Sequence, residues 1–167
     1  PGAAPLGARM AKVSTVVQVG KKVPDFRLES TAGPWRLKDA AGKALVVYFY
    51  PKDATSGCTK EGEAFRDLHA QFGKAGAEIV GVSPDPIASH QKFKARHGFT
   101  FELLSDPEQE ACALFDVWKE KSMYGKKYMG MERSTFLIDA AGVLRREWRK
   151  VKVDGHADEV LAAAKAL

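Results

Sequence analysis

The stretch Ala44-Leu-Val-Val-Tyr-Phe-Tyr50 constrains this chain more than any other: it holds seven apolar residues, β-branched and aromatic, with no polar position among them. A strand with one wet face alternates apolar and polar residues, so an unbroken run of this kind belongs to a strand covered on both faces. A central strand is therefore expected here. The run is also the longest apolar stretch in the chain, far short of the roughly 20 residues that cross a bilayer. No segment is expected to span a membrane. Pro51 ends the strand, and the polar loop Lys52–Gly57 leads from it to Cys58.

The residues on either side sort into further elements by their spacing. Val23 to Leu37 reads as a hairpin, with Phe26 and Leu28 alternating before the turn residues Ser30–Pro34 and Trp35 and Leu37 after them. Phe65, Leu68 and Phe72 recur at spacings of three and four, which predicts a helix over Thr59–Phe72 with Gly73 as its stop. Ala77–Val82 is a second buried strand, and Pro86 opens a helix that carries Ile87 and Phe93 to a terminator at Gly98. Phe101–Ser105 is a short third strand, followed by a helix from Pro107 and Glu108 whose stripe is Ala111, Leu114, Phe115 and Trp118. Thr135–Asp139 and Val143–Val153 pair across Ala140-Ala-Gly142, where glycine suits the left-handed position. Asp154 is expected to cap a closing helix through Leu161. This order predicts an α/β sandwich with a mixed sheet, without internal repeat or linker, so residues 10–167 read as one domain. Residues 1–9, which precede the first methionine, Met10, read as an appended remnant or disordered tail.

Composition narrows the function classes. The chain has 167 residues, 45% hydrophobic and 28% charged, which fits a globular domain and excludes disordered and fibrous classes. The net charge of +5 is mild. Basic residues gather at Lys119, Lys121, Lys126 and Lys127 and again at Arg145, Arg146, Arg149, Lys150 and Lys152, but Glu120 and Glu147 interrupt both groups. No nucleic-acid-binding motif accompanies them, so they read as solvated surface. Two cysteines, Cys58 and Cys112, do not make a disulfide scaffold and point to a reducing compartment, the cytoplasm. His69, His90, His97 and His156 show no metal-ligand spacing and read as surface or cap residues. Phosphate-cradling glycine motifs are absent, so neither a metal nor a nucleotide, flavin or nicotinamide cofactor is expected. Tyr50, just before Pro51, is expected at a pocket mouth.

Cys58 stands where the central strand hands over to a helix, with its sulfur at the helix N-terminus. Unpaired backbone N–H groups and the positive end of the helix dipole favour thiolate there, and thiolate is the reactive form. Its neighbours Thr55-Ser-Gly57 and Thr59-Lys-Glu61 are polar loop and not core, which favours a reactive thiol over an inert one.

The run Tyr48-Phe-Tyr-Pro51 through Thr55-Ser-Gly-Cys58-Thr59 resembles the P-x-x-x-T-x-x-C signature of the peroxiredoxins. Lys52-Asp53, Leu103-Leu-Ser-Asp-Pro107 and Arg133-Ser-Thr-Phe-Leu-Ile-Asp139 resemble its bacterioferritin-comigratory, or PrxQ-like, sub-family, over a span from about Val19 to the C-terminus. The resemblance implies a thioredoxin-like fold, α/β, with a central mixed β-sheet flanked by helices and an N-terminal β-hairpin. It implies a thiol peroxidase in which Cys58 attacks hydrogen peroxide or a small alkyl hydroperoxide and becomes a sulfenic acid. Thr55 would bring its hydroxyl beside the sulfur, Pro51 would shield it from water, and the Arg133 guanidinium would reach the pocket from far along the chain. Glu61 would help to hold that arginine. Each also has a plainer reading: Thr55 as a cap, Pro51 as a strand terminator, Arg133 as a surface residue, Glu61 as a first-turn acid facing the helix dipole.

Regeneration is where the chain departs from the sub-family. Its members often carry a resolving cysteine five positions beyond the nucleophile, here Glu63, or on the next helix, here Lys94. Ser56-Gly57 also replaces the frequent Pro-Gly. Cys112, on a helix beside an apolar stripe, is either a small buried hydrophobe or a resolving thiol. A one-cysteine route is preferred, with an external thiol such as thioredoxin, glutaredoxin or a small molecule as reductant, in a monomer or weak homodimer. The alternatives are a two-cysteine peroxidase using Cys112 and a thioredoxin-like thiol–disulfide exchange protein, which the lack of a C-x-x-C pair disfavours. A third is a binding protein using the basic strand around Trp148.

Overall fold

The computed structural model describes residues 16–167, so the tail expected over residues 1–9 lies outside the described residues. A hairpin of β1 (Arg27–Ser30) and β2 (Gly33–Arg36) comes first, as its turn residues require. Then follow β3 (Ala44–Phe49), α1 (Ser56–Lys74), β4 (Ala77–Ser83), α2 (Ile87–His97), β5 (Glu102–Ser105) and the short α3 (Glu110–Leu114). A second hairpin, β6 (Trp118–Met123) and β7 (Lys126–Met131), leads into β8 (Ser134–Ile138), β9 (Leu144–Trp148) and α4 (His156–Lys165).

Seven strands form one mixed sheet in the order β2-β1-β5-β4-β3-β8-β9. β3, β4 and β5 run parallel, joined by α1 and α2, while β1 and β8 flank them antiparallel. All of β3 is buried, as an apolar run without alternation demands. Leu45, Val47 and Phe49 face one core with Phe115, Val117 and Phe136. Val46, Tyr48 and Tyr50 face the other, where α1 contributes Phe65 and Phe72, α2 contributes Phe93, and α4 contributes Val160 and Leu161. Burial of each such side chain stabilises the fold by roughly 1.5–3 kcal/mol. Helices on one face and short segments on the other make the thioredoxin-like arrangement.

Several boundaries differ from expectation, each for a local reason. α1 begins at Ser56 and runs through Gly73 to Lys74; the chain turns at Gly76, whose φ of +78° suits glycine. Gly98 does end α2 in the left-handed region. The helix expected from Pro107 shrinks to five residues, and Trp118 belongs to β6. Gly155, not Asp154, caps α4. The β6–β7 hairpin was not anticipated: its two-residue turn, Tyr124-Gly125, has positive φ at both positions, but a tyrosine there gives no turn signal.

Candidate active site

The early start of α1 sets the geometry of the site. Thr55 is the extended residue preceding the helix, so Ser56, Gly57 and Cys58 form its first turn. N–H groups of a first turn have no partner within the helix and point toward its N-terminal end. Cys58 is only 2% exposed, with its side chain against the core that holds Tyr48 and Tyr50.

Strand pairing delivers the arginine. β8 runs antiparallel to β3 with Ser134 opposite Phe49, so the residue before β8 arrives beside the end of β3 that leads to the cysteine loop. That residue is Arg133. Its Nη2 donates to Cys58 Sγ at 3.3 Å, and its Nη1 donates to Glu61 Oε1 at 2.6 Å. Glu61 lies three residues beyond Cys58 and therefore on the same helix face. It is 1% exposed and sits beyond the first turn, so the helix dipole does not account for it. Burial pushes the Glu61 carboxyl up to about 7, against the pull of Arg133. Burial alone would lower the guanidinium, but Glu61 and then Cys58 outweigh it and hold Arg133 more firmly protonated. The arrangement is a fixed cation on a buried sulfur, anchored from behind by a carboxylate. Gly57 makes room for it: a Cβ there would lie 3.2 Å from Arg133 Nη2.

The other expected residues fall less tidily. Pro51 follows β3 at the loop entrance and is partly buried. Thr55 is exposed, and its hydroxyl donates to the Lys52 carbonyl at 2.8 Å; it makes no hydrogen bond to the sulfur and does not cap the helix through its side chain. Tyr50 is fully buried, not at a pocket mouth, and its hydroxyl donates to Asp53. His90 and His156 are buried too, contrary to the surface reading. His156 pairs with the Thr135 hydroxyl at 2.7 Å, and burial pushes it down to about 4. The oxygen and nitrogen atoms of Asp53, Asp85 and His90 lie within 4.8 Å of one another, the one such three-residue group among the described residues. Both carboxylate oxygens of Asp53 and both ring nitrogens of His90 are taken up by hydrogen bonds inside the protein.

Cys112 lies on the opposite side of the sheet. It packs with Leu45, Val47 and Phe49, whereas Cys58 packs with the residues that alternate with these. The sheet lies between the two thiols, and the span of roughly 4.4–6.8 Å between Cα atoms that a disulfide tolerates does not reach across it. Burial, then the Asp106 carboxylate, push the Cys112 thiol well above its ordinary value. These surroundings are those of a small buried core residue, one of the two readings its sequence position allows.

Known proteins resemble this chain in sequence and in fold. The AhpC/TSA family profile matches residues 19–147. Peroxiredoxin Bcp of Bacillus subtilis is 51% identical over 150 residues, covering 89% of this chain and 96% of that one. The structure of Xanthomonas campestris peroxiredoxin Q aligns with a TM-score of 0.81 at 54% identity, covering 84% of this chain and 90% of that one. A structure of the X. campestris bacterioferritin comigratory protein, from work on its alkyl peroxide reduction activity through trapped intermediate and ligand complexes, aligns with the same TM-score at 53% identity, with the same coverage. The chain belongs to the AhpC/TSA family. Within that family it falls in the Bcp, or PrxQ, sub-family of peroxiredoxins and is a thiol-dependent peroxidase.

Among the described residues, no helix is long and apolar enough to cross a membrane. The sequence reading missed Lys121, whose ammonium is pushed down by burial first and by Arg133 second. Nothing in a lysine-rich stretch distinguishes that residue from its solvated neighbours.

Proposed function

We propose that Cys58 is the peroxidatic thiol, reducing hydrogen peroxide and small alkyl hydroperoxides. The Arg133 guanidinium, 3.3 Å from Sγ and held by Glu61, is the observation that carries this reading. The thiolate attacks one peroxide oxygen; the S–O bond forms as the O–O bond breaks. Sulfur is oxidised by two electrons to a sulfenic acid, and the other oxygen leaves as hydroxide or alkoxide and takes up a proton from solvent to become water or an alcohol. Negative charge that moves from sulfur to the leaving oxygen stays within reach of the same cation. Pro51 closes the loop side of the site, and Thr55 is near enough in sequence to turn its hydroxyl toward a bound peroxide. The activity studied for the X. campestris relative supports alkyl hydroperoxides as substrates.

The sulfenic acid is regenerated by an external thiol, because Cys112 is on the far side of the sheet. That thiol attacks the oxidised sulfur, releases water and leaves a mixed disulfide, which a second thiol resolves. Thioredoxin, glutaredoxin and small thiols all supply this chemistry. The assembly expected with it is a monomer or weak homodimer. Two free thiols suit the cytoplasm. The test is steady-state peroxide consumption with several thiol donors. Cys58→Ser is expected to abolish it and Cys112→Ser to retain it fully; loss in Cys112→Ser with sulfenic acid accumulating would reinstate an internal disulfide.

A further inference from the structure

A second polar cluster grips the loop that carries the cysteine. Asp53, midway along Pro51–Thr55, turns inward and is 6% exposed. Its Oδ1 accepts from the Tyr50 hydroxyl at 2.6 Å, and its Oδ2 accepts from the Ser89 hydroxyl at 2.7 Å and faces His90 Nδ1 at 2.7 Å. Its backbone N–H donates to Asp85 Oδ2 at 2.8 Å. The side-chain hydrogen bond from Thr55 is local, to Lys52 of the same loop. Asp53 is therefore the loop's tie to the end of β3, to the β4–α2 link and to α2. The next residue, Ala54, holds a φ of +64°, which a non-glycine residue keeps only where its surroundings enforce it.

Behind Asp53, His90 is fully buried, with Nε2 2.9 Å from the Leu104 carbonyl on β5. A carbonyl only accepts, so Nε2 carries a hydrogen. One further proton lies between Nδ1 and Asp53 Oδ2, and whichever atom holds it the pair is neutral as a unit. Either partner alone would be a buried charge or an unmatched polar atom. The titratable groups that face the pair are Tyr50, with Tyr48 tilted against it, and Asp85 from the β4–α2 link.

We propose that Asp53 and His90 form a positioning pair for Cys58, fixing the Pro51–Thr55 loop so that the first turn of α1 presents Sγ to Arg133 and to the incoming peroxide. The pair touches neither the sulfur nor the substrate, and the proposal rests on Cys58 as the reacting thiol.

The experiment is single-turnover oxidation of Cys58 by hydrogen peroxide from pH 5 to 8.5, read by mass spectrometry of the trapped sulfenic acid. Wild type must react and Cys58→Ser must not; failure there removes the peroxidatic reading and is distinguishable from failure of the pair. In Asp53→Asn the amide can donate to Nδ1 only when the imidazole is neutral. The ratio of variant to wild-type rate, which cancels ionisations common to both, is expected to fall about 10- to 100-fold at low pH. It should recover toward one at the alkaline end of that range. His90→Gln lacks the imidazole and is expected to be slow throughout, without that limb. A ratio near one for both variants at every pH overturns the proposal, and so does a pH-independent loss in Asp53→Asn, which packing alone would give. Should Asp53→Asn lose its wild-type circular dichroism, His90→Gln decides: a ratio below about one-tenth supports the pair and a ratio of one overturns it.

Discussion

The two cysteines of this chain are equally hidden, Cys58 at 2% and Cys112 at 0% exposure, yet their surroundings make opposite chemistry. Cys58 has a helix N-terminus behind it and a guanidinium at 3.3 Å. Cys112 has a carboxylate near it and directs its S–H toward the Met131 thioether at 3.6 Å. One environment sets a cation against the sulfur, and the other sets a carboxylate near it and keeps the proton on sulfur. Burial alone therefore says little about reactivity; the sign of the nearest fixed charge decides it.

The contrast can be broken most severely at Arg133. Arg133→Met removes the cation and should slow Cys58 oxidation by roughly 10²–10³-fold in stopped-flow measurements, the scale of losing one preorganised donor from a charged transition state. A loss under tenfold would mean that the helix N-terminus suffices.

Glu61→Gln sharpens the comparison through pH. The folded-state value of Glu61 lies above the unfolded one, at about 7, because burial penalises its charge. Its stabilising contribution is thus full below the unfolded value and lost as pH rises through about 7, so wild type should fall behind Glu61→Gln in thermal stability across that window. Activity should run the other way, since the ionised carboxylate anchors Arg133 better than a neutral one. The wild-type to Glu61→Gln rate ratio is expected near one at pH 5.5 and up to about tenfold at pH 8.5. A flat ratio would place the Arg133 anchor elsewhere.

The smallest effect is expected at Gly57. Alanine suits a helix better than glycine, by about 1 kcal/mol, yet its Cβ would press on Arg133 Nη2. Gly57→Ala should raise the melting temperature or leave it unchanged while slowing oxidation a few-fold; an unchanged rate would show that the guanidinium has room to shift.

Much of the architecture was legible because β3 and its neighbours follow simple patterns. An unbroken apolar run, a three-four helical stripe and glycines past helix ends each report local burial or backbone geometry. The cysteine was legible because a strand-to-helix junction is itself a local feature. Arg133 was legible only through resemblance, since its place beside Cys58 depends on the β3–β8 register. The Asp53–His90 pair was not legible at all: residues far apart in the chain share a proton only after α2 folds across the loop. Tyr124-Gly125 failed as a signal for the opposite reason, because the fold enforces a turn that tyrosine does not advertise.

The claim that one buried sulfur reacts while the other stays inert can be tested in a single tube. Reduced protein is treated with one equivalent of hydrogen peroxide, quenched with a sulfenic-acid trap and a thiol alkylator, and digested for mass spectrometry. Trap adduct on the Cys58 peptide and an unoxidised Cys112 peptide, with no peptide linking the two, is the predicted result. A Cys58–Cys112 disulfide, or trap adduct on Cys112, would contradict it.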